Sequence, residues 1–185
     1  MGDIYELVEY EKNIPAKIML QETLDLESLV PLHWHHGLEF DLVTEGIAQY
    51  KTERGTKIVS EGHFIYADSC EMHEIDSFER NRFLKMVTVL ISYDFVKEKF
   101  PEVDEWYFEI LEDTQGERAI SKYLYEIGNL FREKKEFYEI KINALLLEIC
   151  YILFTEFRRK KENTENENKH VQNKYVKMAI DFMVN

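Results

Sequence analysis

Between residues 17 and 91, polar and apolar side chains alternate along short segments that are separated by glycines. This stretch contains Gly37, Gly46, Gly55 and Gly62, four of the seven glycines in the chain. A period of two residues predicts strands, and glycines at regular intervals predict the tight turns between them. We therefore expect these residues to close into an antiparallel β-sandwich or small barrel.

Individual strands can be predicted from the same alternation. The odd-numbered residues from Glu39 to Val43 take one side of a strand, and the even-numbered residues from Phe40 to Thr44 take the other. The segment Thr52 to Lys57 is typical of a hairpin turn. Further strands are expected over Lys17 to Leu24 and over Phe83 to Ile91.

Beyond Ser92 the period changes to 3.6, which predicts helices. They are expected over Tyr93–Phe100, with Ser92 as the N-cap, over Glu117–Arg132 and over Phe137–Arg158. The third helix is apolar nearly all round in its middle, so it must be covered on two sides, and a second subunit is the simplest cover. The candidate contacts with that subunit are Leu146, Ile149, Leu153 and Phe157.

The end of the chain has a different composition. We interpret Arg158 to Lys161 as a solvated helix end whose charges complement the helix dipole. Residues 161–173 contain almost nothing apolar, which is typical of a flexible linker. Residues 174–185 regain helical periodicity but cannot bury an apolar face alone, so they are expected to open a further domain. Before the linker, we expect a barrel over residues 1–91 and a helical dimerisation segment over residues 92–160.

Composition restricts the class of protein. The 185 residues suit one compact domain with a short appendage. Acidic residues number 36 and basic residues 23, a net charge of −13, which is unlike a nucleic-acid-binding face. Two cysteines are too few for a disulfide framework. The longest apolar run, Ala144 to Phe154, is well short of the roughly 20 residues that span a bilayer. We expect a cytoplasmic protein without membrane contact.

A group of histidines and carboxylates carries the most specific chemistry. His33, His35 and Glu39 share odd parity, so on one extended strand they would project from the same face, with Asp41 continuing the row. His73 would arrive from a neighbouring strand. Imidazoles and a carboxylate that converge inside a barrel suit a divalent transition metal such as Zn, Ni, Mn, Fe or Co. Alternatively, these groups bond to each other and to solvent in a pocket mouth.

Other side chains are candidates for contact with a small molecule. Asp41 and Gln49, both expected to face inward, could bond to a ligand hydroxyl or amine, or pair with a basic residue at the barrel rim. Trp34, Tyr50 and Tyr66 could stack on a flat ligand, or simply fill the core. The full set of candidates is Trp34, His35, Glu39, Asp41, Gln49, Tyr50, Tyr66 and His73.

These motifs resemble those of the cupin barrel. The first cupin motif is similar to His33-x-His35-x3-Glu39-x6-Gly46, which the chain matches at every defined position. In the second motif Gly62 and His73 match. The family's proline, glycine and asparagine are replaced there by Asp68, Cys70 and Ser77. The resemblance implies a cupin-like barrel in which the histidines and Glu39 are the metal ligands.

With its flanks included, the chain resembles the amino-terminal sensing domain of the AraC-type transcriptional regulators of bacteria. The matching segments are Pro31 to Phe40 and Leu90 to Phe95, followed by the helices, and Tyr175 to Asn185 resembles the opening of that family's helix-turn-helix domain. The resemblance implies a non-enzymatic regulator that binds a small-molecule effector and forms a homodimer. Such a protein would contact DNA through a carboxy-terminal domain that is absent here.

Two alternatives remain open at this point. A free-standing cupin metalloenzyme, a dioxygenase or an isomerase, could use the same four candidate ligands around a metal with open positions. A pure dimerisation module would instead have a barrel closed by its own side chains, and no small molecule would stabilise it against heat.

Overall fold

The computed structural model of the chain describes residues 4–23, 30–52, 55–78 and 83–161. Its main body consists of two facing β-sheets. The nine strands of these sheets are β1 (Ile4–Tyr5), β2 (Ala16–Thr23), β3 (Val30–Trp34), β4 (Leu38–Glu45), β5 (Ile47–Thr52), β6 (Gly55–Ser60), β7 (Phe64–Ala67), β8 (His73–Ser77) and β9 (Leu84–Ile91).

The first sheet has the order β1-β3-β8-β5-β6, and the second has the order β2-β9-β4-β7. Neighbouring strands are antiparallel except that β1 pairs in parallel with β3. The predicted cupin-like antiparallel barrel is therefore confirmed. So is the predicted hairpin, since β5 and β6 pair from Ile47 opposite Ser60 to Thr52 opposite Gly55.

Strand β4 shows how the alternation builds the barrel. Leu38, Phe40 and Leu42 pack in a core shared with the helices. Val43 belongs to a separate apolar cluster inside the barrel. Strand β9 likewise has its two faces in different cores, and both faces are buried. That is why its sequence is an almost unbroken apolar run.

The helices follow the barrel. They are α1 (Tyr93–Lys99), α2 (Gln115–Glu133) and α3 (Tyr138–Ile152), with a short 3-10 turn over Val103–Glu105 and a π-helical turn over Leu153–Phe157. Ser92 caps α1 as predicted, because its Oγ accepts a hydrogen bond from the backbone N–H of Phe95 at 3.4 Å. Helix α2 packs on α3 and on strands β2, β4 and β9, so barrel and helices share one apolar core.

The predicted contacts of α3 and its π-helical turn with a second subunit are wrong. The residues named for that role are at most 1% exposed within the single chain, where the core already covers them: Leu146, Ile149, Leu153 and Phe157. The exposed apolar side chains of α3 are Ile140 (68%), Leu147 (46%) and Tyr151 (62%). Periodicity could not separate the two faces, since both are apolar. The homodimer itself stays a prediction.

The basic run after α3 also differs from the expectation. Arg158–Lys160 forms a strand, β11, antiparallel to β10 (Trp106–Phe108), instead of a solvated helix end. The Arg158 guanidinium lies 4.8 Å from the centre of the Trp106 ring. The remainder of the expected linker and the expected start of a further domain, residues 162–185, lie outside the described residues. None of the helices described is long and apolar enough to cross a membrane.

Candidate metal centre

The four predicted ligands meet inside the barrel, although they do not come from one strand. His33 lies in β3 directly opposite His73, the first residue of β8, and their ring centres are 4.3 Å apart. His35 follows the end of β3, and Glu39 lies in β4, which belongs to the other sheet. The prediction that these residues cluster is therefore confirmed. The geometric reason given for it, a shared face of one strand, is wrong, because the residues come from different strands.

A corner of the chain brings the two sheets' ligands together. Gly37 immediately precedes β4, and a Cβ atom there would be 2.4 Å from Leu90 Cδ1 and 2.8 Å from the carbonyl oxygen of Ile91. Only a glycine lets β4 approach β9 this closely. The corner places His35 Nε2 3.0 Å from Glu39 Oε2.

The cluster has the dimensions of a metal site. One potential ligand atom from each of His33, His35, Glu39 and His73 lies within 4.8 Å of all the others. All four residues are buried, and His35 and His73 have no exposed surface. Bonds of about 2.1 Å around one ion hold opposite ligands about 4 Å apart, so small side-chain movements would bring these atoms onto one metal. Three imidazoles and one carboxylate are suited to a divalent transition metal.

Hydrogen bonds outside the cluster support this assignment. The Nδ1–H of His73 donates to the carbonyl oxygen of Glu71 at 2.9 Å. A carbonyl only accepts, so Nδ1 carries a proton, and Nε2 faces the centre, 3.3 Å from Glu39 Oε1, where its lone pair would be available to a metal. Nδ1 of His35 is buried and has no hydrogen-bond partner among the residues described. The donor set therefore fits a metal ion.

The two carboxyl groups inside the barrel differ in charge. Burial opposes ionisation of Glu39, but hydrogen bonds from His35 and His73 outweigh it and hold its pKa well below the usual range. Burial and the neighbouring charge of Glu39 raise the pKa of Asp41 well above its usual range. The hydroxyl of Thr88 donates to Asp41 Oδ1 at 2.5 Å. The centre thus offers a metal one charged carboxylate, that of Glu39.

Glu6 is a residue of the site that the sequence did not suggest. It follows β1, and its Oε2 lies 3.3 Å from His33 Nε2 while its Oε1 accepts a bond from Lys17 at 2.9 Å. The bond with His33, aided by Lys17, lowers the pKa of Glu6 to about 2 against the opposing effect of burial. A metal bound by His33 would replace this contact. The only available signal, a two-residue strand, is too short to recognise in a sequence.

Two of the predicted ligand contacts face away from the interior. Ala48 and Tyr50 occupy the buried side of β5, so Gln49 points to the opposite side, and the expectation that it faces inward is wrong. Trp34 packs at 4.6 Å against the ring of Tyr5 on the outer side of β3. This contact agrees with the packing alternative for Trp34.

Tyr50 and Tyr66 lie beside a cleft of about 320 Å³ along the open edge between β6 and β7. We call it the seam cleft, and Phe108 and Ile110 cover it. The hydroxyl of Tyr50 donates to the carbonyl oxygen of Tyr66 at 3.4 Å, and the Tyr50 ring lies 6.0 Å from that of His73. Tyr50 therefore links the cleft, which it lines, to His73 of the metal centre.

Comparisons with known proteins find solved cupin structures that are similar to this chain at low identity. No protein-family model matches the chain, and no curated protein matches it. A cupin superfamily protein from Desulfitobacterium hafniense is 18% identical, with a TM-score of 0.38 over 42% of this chain and 68% of its own. A predicted oxalate decarboxylase from Thermotoga maritima is 21% identical, with a TM-score of 0.38 and the same two coverages. A Cupin 2 conserved barrel domain protein from Salinispora arenicola is 17% identical, with a TM-score of 0.41 over 50% of this chain and 76% of its own.

Proposed function

We propose that this chain is the sensing part of an AraC-type transcriptional regulator, whose barrel binds a small effector beside a divalent metal ion. The observation that carries the proposal is the buried cluster of His33, His35, Glu39 and His73 near the seam cleft, linked to it by Tyr50. When bound, the metal would supply a Lewis acid that holds an oxygen or nitrogen atom of the effector.

The residues around the cluster favour binding over turnover. A general acid or base must be able to reach its substrate. Glu39 already contacts two histidines, Asp41 accepts a bond from Thr88, and Glu6 is paired with Lys17 and His33. Glu39 and Glu6 are therefore held by contacts with the candidate ligands, and one oxygen of Asp41 is held by Thr88.

A continuous set of aromatic contacts leads from the cleft to the helices. The Tyr66 ring packs against Phe108 at 6.2 Å, and Phe108 packs against Phe154 at 5.1 Å. Phe154 lies in the π-helical turn that continues α3 into β11. An effector that displaces Phe108 would therefore shift the conformational populations of the π-helical turn and of β11, which follows it.

We also propose a homodimer formed through the helices, because α2 and α3 carry exposed apolar side chains. On α3 these are Ile140, Leu147 and Tyr151, and on α2 Tyr125 is 56% exposed. A second copy of this surface would cover them, as expected for a two-fold interface.

Two measurements test the proposal. The first is the metal content of the purified protein beside that of His73→Ala, where about one divalent ion per chain is expected for the wild type and markedly less for the variant. The second is the natural gene sequence beyond the codon for Asn185, where a helix-turn-helix domain is expected. A stop codon there would contradict the regulator assignment.

The complete ligand set also keeps a metalloenzyme as the second candidate. Four ligands leave positions free on a six-coordinate iron or manganese ion, as an oxygenase requires. Oxygen consumption by the iron-loaded chain with candidate substrates, absent in His73→Ala, would favour the enzyme over the sensor.

A further inference from the structure

The edge between β6 and β7 continues past the seam cleft into a second cavity of about 130 Å³ at the start of α2. We call it the Glu117 pocket. Its polar lining includes His63, which precedes β7, and Glu117, in the first turn of α2. Lys57, Phe64 and Ile110 line both the pocket and the cleft, so the two form one groove.

Glu117 occupies an unusual position for its sequence context. Thr114 and Glu117 have the spacing of a capping box, in which the glutamate would return to the backbone N–H of the N-cap residue. Thr114 Oγ1 does accept a bond from the Glu117 N–H at 3.1 Å. The Glu117 carboxylate instead faces the barrel, where its Oε1 accepts bonds from His63 Nδ1 at 3.1 Å and from Ser121 Oγ at 3.4 Å.

The second oxygen of this carboxylate lacks a donor. Glu117 is 2% exposed, and its Oε2 is buried with no hydrogen-bond partner in the described part of the chain. A buried acceptor left without a donor is costly. Since Glu117 lines the pocket, a ligand that brings a donor there would remove this cost.

The charges around the pocket favour a cation. Lys57 is neutralised by Glu112, 2.6 Å away. Asp113 and Glu117 also line the pocket, so its carboxylates outnumber its lysine by three to one, with His63 bonded to Glu117. Opposite charge raises the local concentration of a positively charged ligand and strengthens its hydrogen bonds.

The geometry favours an ammonium group over a metal ion. Among the residues that the structure describes, the only close group of three or more histidine, cysteine or acidic side chains is the metal centre. The Glu117 pocket therefore lacks the ligand number that a structural divalent metal requires. An ammonium group has three donors and can pair with a single carboxylate. The apolar walls at Phe64 and Ile110 suit a carbon chain attached to it.

We propose that the Glu117 pocket binds the ammonium group of a small primary alkylamine, whose chain extends past Phe64 and Ile110 into the seam cleft. The bound amine would connect α2 to the open edge of the barrel. This site contains none of the metal-centre residues, so it goes beyond the function proposed above and does not depend on it.

Isothermal titration of the metal-loaded chain with n-butylammonium tests the proposal, with n-butanol as a neutral match of the same length. We expect the amine to bind at least about tenfold more tightly than the alcohol, and Glu117→Gln to lose at least about tenfold in amine affinity, since a charged hydrogen bond is lost. Equal affinity for amine and alcohol, unchanged affinity in Glu117→Gln, or no binding by any linear amine from ethyl to hexyl would overturn it.

Matched variants separate the pocket from general charge effects. Glu98→Gln removes a carboxylate whose side chain is 71% exposed and which lines neither the pocket nor the cleft, and its amine affinity should stay within about threefold of the wild type. A loss equal to that of Glu117→Gln would refute a specific site. Ile110→Trp fills the groove without changing charge and should abolish binding even if Glu117→Gln folds poorly.

Two further titrations identify the cation and keep the two proposals apart. Tight binding of Ca²⁺ alone that disappears in Glu117→Gln would replace the ammonium assignment with a metal. Co²⁺ binding at the metal centre should be the same in Glu117→Gln and in the wild type, because the two sites share no residue. A failure of amine binding therefore does not contradict the proposed metal centre. Conversely, His73→Ala should lose metal binding and keep its affinity for the amine.

Discussion

Replacing Gly37 by alanine tests whether the corner between the sheets positions the metal ligands. The new Cβ would lie 2.8 Å from the carbonyl oxygen of Ile91, where ordinary contact begins at 3.4 Å, so the backbone of β9 must move by about 0.6 Å. Ile91 pairs with both Ala16 and Leu38, so β9 cannot move without disturbing β2 and β4. Overpacking of this kind costs about 1 to 3 kcal/mol.

We expect Gly37→Ala to lower the melting temperature of the metal-free protein by about 4 to 8 °C, which corresponds to about 2 kcal/mol for a chain of this size. Because the corner lies between His35 and Glu39, Co²⁺ affinity should fall as well. Thermal unfolding and the visible spectrum of the Co²⁺ form measure the two effects.

Gly62→Ala is the matched control for this experiment. Gly62 has a φ of +89° but nothing within 4 Å of an added Cβ, so its substitution adds backbone strain without a clash and lies away from the ligands. It should lower stability and leave Co²⁺ affinity unchanged. A Gly37→Ala protein that melts within 1 °C of the wild type, or that binds Co²⁺ equally well, would refute the role assigned to the corner.

Three further predictions follow from burial and from the ligand set. Saturating Zn²⁺ at about 100 times its dissociation constant should stabilise the native state by about 2.7 kcal/mol, an effect that EDTA reverses and His73→Ala lacks; equal melting temperatures with and without zinc would contradict the metal centre. Leu146→Glu should give insoluble protein, whereas Leu147→Glu, at a side chain 46% exposed, should give folded monomers in sedimentation experiments if α3 contacts a second copy. Burial raises the pKa of the Cys150 thiol to about 12, so a thiol reagent at pH 8 should label Cys150 only after unfolding, and rapid labelling in the native protein would contradict its burial.

The barrel could be predicted because alternation is a local property. The alternation of Leu38, Phe40 and Leu42 with polar residues predicts a strand with a buried face, whatever the position of that strand in the barrel. The capping of α1 by Ser92 was predictable for the same reason, since a side-chain oxygen bonds to an N–H three residues away.

The remaining features depend on contacts between distant residues. The apolar residues of α3 do not reveal which of them the barrel and α2 already cover, and so Leu146 and Leu147 look equivalent in the sequence. The contact of Glu6 with His33 requires a parallel strand pair, β1 with β3, and nothing in the local sequence signals that pairing. Likewise, the bond from His63 to Glu117 joins residues 54 positions apart.

Strand β4 is intolerant of changes in length. Its consecutive residues serve two different environments: Glu39 lies in the metal centre, whereas Leu38 and Phe40 belong to the apolar core under the helices. Deleting or inserting one residue early in β4 would reverse the two sets, placing a carboxylate among the helices and a phenyl ring among the histidines. Both the packing and the metal centre would be lost in one step, so point substitutions can alter this strand gradually but changes of length cannot.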